Sequence, residues 1–213
     1  MIRLVVVDDH PVVAAGLLAA LAGSGEIEIA GVAATLAEAE SVVASARPDV
    51  ILCDIHLGSE RALDLPRRLG PSAPPLIFFT SFDYASYVRV ALANGAAGYL
   101  LKSTPLADIE AAIRSVAAGG TAYTARHLRS AQNAPRMPSG RELQVVTLVG
   151  QGISNAEIGL ALKIDERTVE SHLRRLFDRY GVDSRTELIG YCVREGWFDM
   201  AANEAGSARG GAR

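Results

Sequence analysis

The sequence predicts an α/β fold, a five-stranded parallel sheet doubly wound by helices, followed by a smaller all-α domain of four helices. Three observations predict it. Short apolar runs alternate with longer amphipathic stretches through the first half, as repeated strand–helix units require. The run Leu4 to Val7 is apolar at both parities, as a strand buried on both faces must be. After a lapse from Gly119 to Pro138, rich in Gly, Pro and small polar residues, only helical spacing returns.

The candidate strands are "IRLVVV", "EIEIAGV", "PDVILC", "PLIFF" and "AGYLL". Between them, Pro11 suits a first helical position, Thr35 and Glu38 have capping-box spacing, Asp83 can cap a helix that Gly95 ends, and Thr104 with Pro105 can open the last. Pro66 falls inside the third helical stretch, which is therefore expected short or kinked. Four further helices are expected at Ser139–Val149, Ser154–Leu162, Asp165–Tyr180 and Ser184 to about Gly196, with capping boxes at Ser139/Glu142 and Ser154/Glu157. The expected divisions are an α/β domain at 1–118, a linker at 119–137, a helical domain at 138–198 and a disordered tail at 199–213.

Composition narrows the class. The chain has 213 residues, 49% of them hydrophobic, enough for one large core or two small ones. No apolar run approaches the roughly 20 residues that span a bilayer, and the N-terminus enters strand-like sequence without a charged leader, so no membrane partner and a cytoplasmic location are expected. Cys53 and Cys192 match no metal or redox spacing. The net charge of −3 conceals an asymmetry: residues 1–118 carry 8 basic and 13 acidic side chains, residues 119–213 carry 13 and 11. The second half is the one that tolerates a polyanion.

The strand ends carry the chemistry. "VVV" runs into Asp8 and Asp9, and "VILC" runs into Asp54. Neighbouring parallel strands lie about 5 Å apart, and ligands of such sheets bind beyond the C-terminal strand ends. Three converging carboxylates suit a hard divalent cation, Mg²⁺ in particular, which keeps open positions for phosphate. The fourth strand ends at Thr80 and Ser81, the fifth at Lys102, so hydroxyl and ammonium donors face the same place. Any one strand-end Asp is more often a turn or cap residue; the joint pattern points to a phosphoryl pocket.

With "VVVDDHP", "ILCDIHL", "FFTSF" and "GAAGYLLKS" in hand, residues 1–118 resemble the receiver domain of two-component response regulators, a flavodoxin-like fold. The resemblance implies that Asp54 accepts a phosphoryl group from a histidine kinase. It also implies that Asp8, Asp9, Asp54 and the main-chain carbonyl of His56 hold Mg²⁺, that Thr80 and Lys102 bind phosphoryl oxygens, and that Thr80 and Tyr99 form the switch. No enzymatic turnover is implied beyond phosphorylation and dephosphorylation at Asp54. Two departures stand out. Where relatives commonly have Met-Pro-Gly, this chain has Leu57, Gly58 and Ser59, which predicts a looser loop. His56 and Phe82, each two positions beyond a site residue, are expected to crowd the approach of water and prolong the phosphorylated state.

In the C-terminal half, "ISNAEIGLALKIDERTVESHLRRLFDRYGVDSRTELI" sets a short helix, a turn around Lys163–Asp165 and a longer helix in helix-turn-helix order. Steps of 100° place Val169, Leu173, Leu176, Phe177 and Tyr180 on one side, with Arg167, Glu170, Ser171, Arg174 and Arg175 on the other. The segment resembles the LuxR-type domain of NarL/FixJ response regulators over about residues 136–197. That resemblance implies binding to double-stranded DNA, with Thr168, Glu170, Ser171 and Arg174 near bases and Arg167, Arg175 and Arg179 near phosphates. A homodimer is expected when the protein is phosphorylated or DNA-bound, with Leu188, Ile189, Tyr191, Cys192 and Trp197 of the final helix as its candidate surface; core packing explains several of the same residues equally well. The combined reading is a phosphorylation-controlled transcription factor. The competing readings are a phosphorylation-independent interaction module and a Mg²⁺-dependent phosphotransferase.

Overall fold

The computed structural model describes residues 1–21 and 23–198. It divides into two compact units, Met1–Asn133 and Ala134 onward. The expected tail at 199–213 lies outside the described residues.

Unit one is built on five parallel strands, β1 (Ile2–Val7), β2 (Ile27–Ala33), β3 (Val50–Cys53), β6 (Leu76–Thr80) and β7 (Gly98–Leu101), in the order β2-β1-β3-β6-β7; β4 (His56–Leu57) and β5 (Glu60–Arg61) stand apart from this sheet. Helices α1 (Pro11–Leu21), α2 (Leu36–Ala46), α3 (Leu65–Leu69), α4 (Ala85–Ala93) and α5 (Leu106–Ala117) make the crossovers. The apolar runs read as strands are buried as such: Leu4 to Val7, Val50 to Cys53 and Leu76 to Thr80 are all buried. Strand order reverses beside β1, so β1 and β3 open a crevice at their C-terminal ends, the place where open α/β sheets bind ligands.

Local signals held unevenly. Thr35 Oγ1 accepts from Glu38 N–H as expected, but the Glu38 carboxylate returns to the Ala34 N–H instead of closing the box on Thr35. Pro66 does leave a helix of one and a half turns, α3. Asp83 does not cap α4: Tyr84 stands at the cap, and the Asp83 carboxylate is drawn to Arg126 at 2.7 Å. Thr104 likewise makes no side-chain cap to α5, which starts after Pro105.

The loop after Asp54 is a finding against expectation. Instead of being loose it forms a small antiparallel hairpin, β4 with β5. Gly58 takes φ +58° at the turn, which glycine adopts without strain. Its N–H donates to Asp9 Oδ2 at 2.8 Å, and Glu60 accepts from the Leu36 N–H, so the hairpin is pinned at both ends.

The stretch expected as linker is structured for most of its length. Ala122 bridges to Gly98 alongside β7, and helix α6 (Ala125–Asn133) packs on α4, so unit one extends about fifteen residues past 118. The cause is visible in the sequence after the fact: His127 and Ala131, four apart, form a buried stripe too narrow to stand out among polar residues.

Unit two contains α7 (Gly140–Gly150), α8 (Asn155–Leu162), α9 (Glu166–Tyr180) and α10 (Arg185–Arg194). Ser139/Glu142 and Ser154/Glu157 form complete capping boxes. Lys163 ends α8 in the left-handed conformation, making the turn into α9. Val169, Leu173, Leu176 and Tyr180 are buried and Phe177 packs partly against them, as the helical period predicts. Leu188, Cys192 and Trp197 are buried in this same core, so for them the core-packing alternative holds.

Candidate functional site

The acid pocket is assembled by backbone pairing at the strand ends. Asp8 N–H donates to Ala33 O and Asp54 N–H to Val7 O, so the parallel ladder carries both carboxylates beyond the same rim of the sheet. Asp8 and Asp54 are buried, 4% and 5% exposed, while Asp9 is half-buried. Ligand atoms of Asp8, Asp9, His10 and Asp54 all fall within 4.8 Å of one another. Three buried or half-buried carboxylates so close together repel strongly unless cations sit among them.

Two side chains bring nitrogen atoms to these carboxylates. Lys102 Nζ lies 2.6 Å from Asp54 Oδ2 and 2.7 Å from Asp8 Oδ2. Burial works against its charge, but hydrogen bonds and the charges of Asp54 and Asp8 outweigh this and hold its pKa above the ordinary lysine value. His10, which the sequence reading passed over, places Nδ1 at 2.9 Å from Asp9 Oδ1 and 3.1 Å from Asp8 Oδ1. Its signal was its adjacency to the acid pair. Asp54 Oδ1 accepts from the Ile55 N–H at 2.6 Å, which orients the carboxylate.

A hard divalent cation fits these residues. The donor set is oxygen-rich, and the buried atoms Asp8 Oδ2 and Asp9 Oδ1 have Lys102 Nζ at 2.7 Å and His10 Nδ1 at 2.9 Å as near partners, which leaves acceptor capacity on both. Asp8, Asp9 and Asp54 are the acidic cluster that could hold it.

Thr80 is fully buried at the end of β6 and joined to the pocket through its carbonyl, which accepts from Lys102 N–H at 2.8 Å. Tyr99 on β7 is also fully buried, and its hydroxyl donates to Phe82 O at 2.6 Å. The Tyr99 ring is thus turned into the interior. Burial, with the charges of Tyr87 and Asp83 nearby, pushes the Tyr99 hydroxyl far above its usual range, so it stays a donor at any physiological pH. His56 and Phe82 stack with centroids 4.3 Å apart, and His56 Nε2 lies 3.1 Å from the Tyr87 hydroxyl.

On the second unit, α9 presents Arg167, Glu170, Ser171, Arg174 and Arg175 to solvent, with Thr168 half-buried at its start. Arg175 Nε donates back to Ser171 O, laying that side chain along its own helix. Arg179 departs from expectation. Its two terminal nitrogens each meet an oxygen of buried Glu142 at 2.9 Å, a forked pair joining α9 to α7 in place of a free phosphate contact. Burial would push the Glu142 carboxyl up, but hydrogen bonds from Arg179 and Ser139 hold it at about 2. Gly159 on α8 lets the turn close: a Cβ there would stand 2.7 Å from Ile164 O.

Comparison with known proteins finds a match for each unit. Residues 4–114 match the response regulator receiver domain, and residues 139–192 match the bacterial regulatory proteins of the luxR family. The oxygen regulatory protein NreC of Staphylococcus aureus is 30% identical over 211 residues, covering 91% of this chain and 97% of that protein. The response regulator ChrA of a heme-sensing two-component system is 30% identical, with a TM-score of 0.55 over 92% of this chain and 98% of that one. RcsB of Salmonella typhimurium, at 18% identity, shares the fold with a TM-score of 0.67 over 91% of this chain and all of its own. An acid pocket at the rim of a parallel sheet, a helix-turn-helix unit after it and these full-length matches lead to one statement: the chain belongs to the response regulators that join a receiver domain to a luxR-family DNA-binding domain.

Proposed function

We propose that Asp54 accepts a phosphoryl group from a histidine kinase and that this step controls how the C-terminal unit binds double-stranded DNA. The observation that carries the reading is Lys102 Nζ set between Asp8 and Asp54 at 2.7 and 2.6 Å. A carboxylate is a weak nucleophile and approaches an anionic phosphoryl group only where the charge is neutralised. Asp54 Oδ1 is held by the Ile55 N–H, which leaves Oδ2 to form the new O–P bond as the P–N bond to the kinase histidine breaks and the electron pair leaves with its imidazole. The Lys102 ammonium follows the negative charge onto a phosphoryl oxygen, and the Thr80 hydroxyl takes another. Mg²⁺, held by Asp8, Asp9, Asp54 and the His56 carbonyl, would supply the remaining neutralisation of charge.

On the DNA side, Thr168, Glu170, Ser171 and Arg174 read bases in this reading, and Arg167 and Arg175 meet phosphates, which their exposure on α9 supports for all but half-buried Thr168. Arg179 is reassigned to holding α9 in place. RcsB has been solved in complex with DNA and as dimers on DNA. By extension this chain acts as a homodimer on paired half-sites, in the cytoplasm; among the described residues no helix is long and apolar enough to cross a membrane.

The test is a selection of DNA sites at fixed salt, with and without acetyl phosphate and Mg²⁺, for the wild type and Asp54→Asn. Enrichment of a paired site by the phosphodonor in the wild type alone supports the reading. Equal regulation in Asp54→Asn favours the phosphorylation-independent interaction module. Turnover of small phosphate esters would favour a phosphotransferase.

The His56–Phe82 stack leads to a separate expectation. A stacked pair tied to Tyr87 presents a rigid apolar wall beside the pocket. Replacing both residues by Ala is expected to speed loss of the phosphoryl group by about tenfold, one barrier change of roughly 1.4 kcal/mol. Decay of radiolabelled protein measures it, and an unchanged half-life dismisses the wall.

A further inference from the structure

The segment from Gly120 to Asn133 lies against the parts of the receiver that a switch at Thr80 would move. Tyr99 N–H donates to Ala122 O at 3.0 Å and Ala122 N–H to Ala97 O at 2.8 Å, fixing the segment beside β7. Gly98 permits this approach, since a Cβ there would stand 2.6 Å from the Ala122 methyl. The Tyr123 hydroxyl donates to Ala96 O at 3.0 Å. Next, Arg126 Nη2 reaches Asp83 Oδ2 at 2.7 Å, and the buried His127 ring meets Tyr99 edge-on, centroids 5.4 Å apart and planes at 72°. Burial lowers the His127 pKa and favours the neutral ring, which suits a packing role.

These contacts fall on one mechanical path. Thr80, Phe82 and Asp83 lie on a single short stretch, and the Tyr99 hydroxyl is bonded to Phe82 O. If that stretch shifts, Tyr99 must follow it or lose its bond, and a packed interior leaves no slack between Tyr99 and His127. Asp83 carries the same displacement to Arg126. Six residues, 134–139, then lead to α7, and two of them, Pro135 and Pro138, limit how much motion the backbone absorbs.

We propose that residues 122–133 are the receiver's output arm: α6, gripped by Tyr99 through His127 and by Asp83 through Arg126, converts the state of Asp54 into a change felt by the DNA-binding unit. The proposal rests on the phosphorylation reading above. His127 and Arg126 act as positioning residues and touch neither phosphoryl group nor DNA. A purely structural role for α6 would stabilise the receiver without changing its response.

The test uses the full chain with acetyl phosphate or beryllofluoride, each with Mg²⁺. His127→Ala is expected to take up the phosphoryl group as the wild type does, while the phosphorylation-dependent gain in DNA affinity collapses from the about 5–150-fold typical of coupled sites towards none. His127→Phe, which keeps an aromatic edge on Tyr99, should restore most of the gain. Asp83→Arg should lose part of it, and Asp83→Arg with Arg126→Asp should recover it. For the wild type, hydrogen exchange of the α6 amides should change severalfold with beryllofluoride, a readout that needs no variant to fold. An unchanged DNA response in His127→Ala and Asp83→Arg, or α6 exchange indifferent to beryllofluoride while the loop after Thr80 responds, overturns the output arm alone. A wild type with no DNA response to either reagent overturns the phosphorylation reading and the arm together.

Discussion

Lys102→Met is expected to lose phosphoryl uptake while gaining affinity for Mg²⁺. The ammonium sits between two buried carboxylates at 2.6 and 2.7 Å and does two jobs there. Before transfer it neutralises Asp8 and Asp54, competing with a divalent cation for the same oxygens. On the proposed phosphorylation of Asp54, it stabilises charge on the phosphoryl oxygens during transfer. Removing a preorganised donor of this type costs about 10²–10³-fold in rate. Removing a competing unit charge at this range is worth several kcal/mol at an effective dielectric near 20, much of it offset by solvent, so a rise in Mg²⁺ affinity of about tenfold or more is expected. Methionine keeps the stem's volume and limits the packing change. Transfer from radiolabelled acetyl phosphate and calorimetric titration with Mg²⁺ read the two effects separately. Uptake at the wild-type rate, or weaker Mg²⁺ binding, would show that Lys102 is not the neutralising group.

Glu142→Gln is the second large effect, and it concerns the stability of the DNA-binding unit. The Glu142 carboxyl sits at about 2 in the folded protein, against an ordinary value of 4.5, because Arg179 and Ser139 stabilise its charged form more than burial disfavours it. A group whose folded value is depressed contributes stability that is fully present above its unfolded value and is lost as pH falls through the folded one. The window is therefore roughly pH 5 down to pH 2, and the contribution at neutral pH is on the order of 2–3 kcal/mol after allowing for the partly exposed guanidinium. Gln cannot accept the forked pair from Arg179, so it should destabilise the unit by about that amount at pH 7 and flatten its acid transition. Urea unfolding of the wild type and variant at pH 7 and pH 3 measures both; parallel pH profiles would rule out the carboxylate as the source. DNA affinity per folded molecule should fall little, since Arg179 faces α7 and not the groove-reading face.

How much was legible in the sequence follows from which interactions are local. The strands were legible because burial on both faces demands apolar residues at every position, as in the runs Leu4 to Val7 and Leu76 to Phe79. The acid pocket was legible because it stands at strand ends, where chain order alone fixes the place of Asp8, Asp54, Thr80 and Lys102. Capping at Ser139 and Ser154 was legible because its partners are three residues apart. Missed features depend on distant partners. Asp83 looked like a cap until Arg126, forty-three positions on, claimed its carboxylate. Arg179 looked free until Glu142 was seen across the interface of two helices. The 119–137 stretch looked like linker because His127 and Ala131 supply too little apolar periodicity to mark a helix that Tyr99 and α4 complete from outside. The loop after Asp54 looked loose because Gly58 permits many conformations, and only Asp9 and Leu36 select one.

The Ala122–Gly98 bridge bears on where the receiver can be cut from the rest of the chain. It lies along the outermost strand of the sheet, whose amides and carbonyls would otherwise face water and invite pairing with another molecule. A fragment stopped at residue 118 exposes that rim and is expected to self-associate more than one carried through Asn133, which light scattering of the two fragments would check.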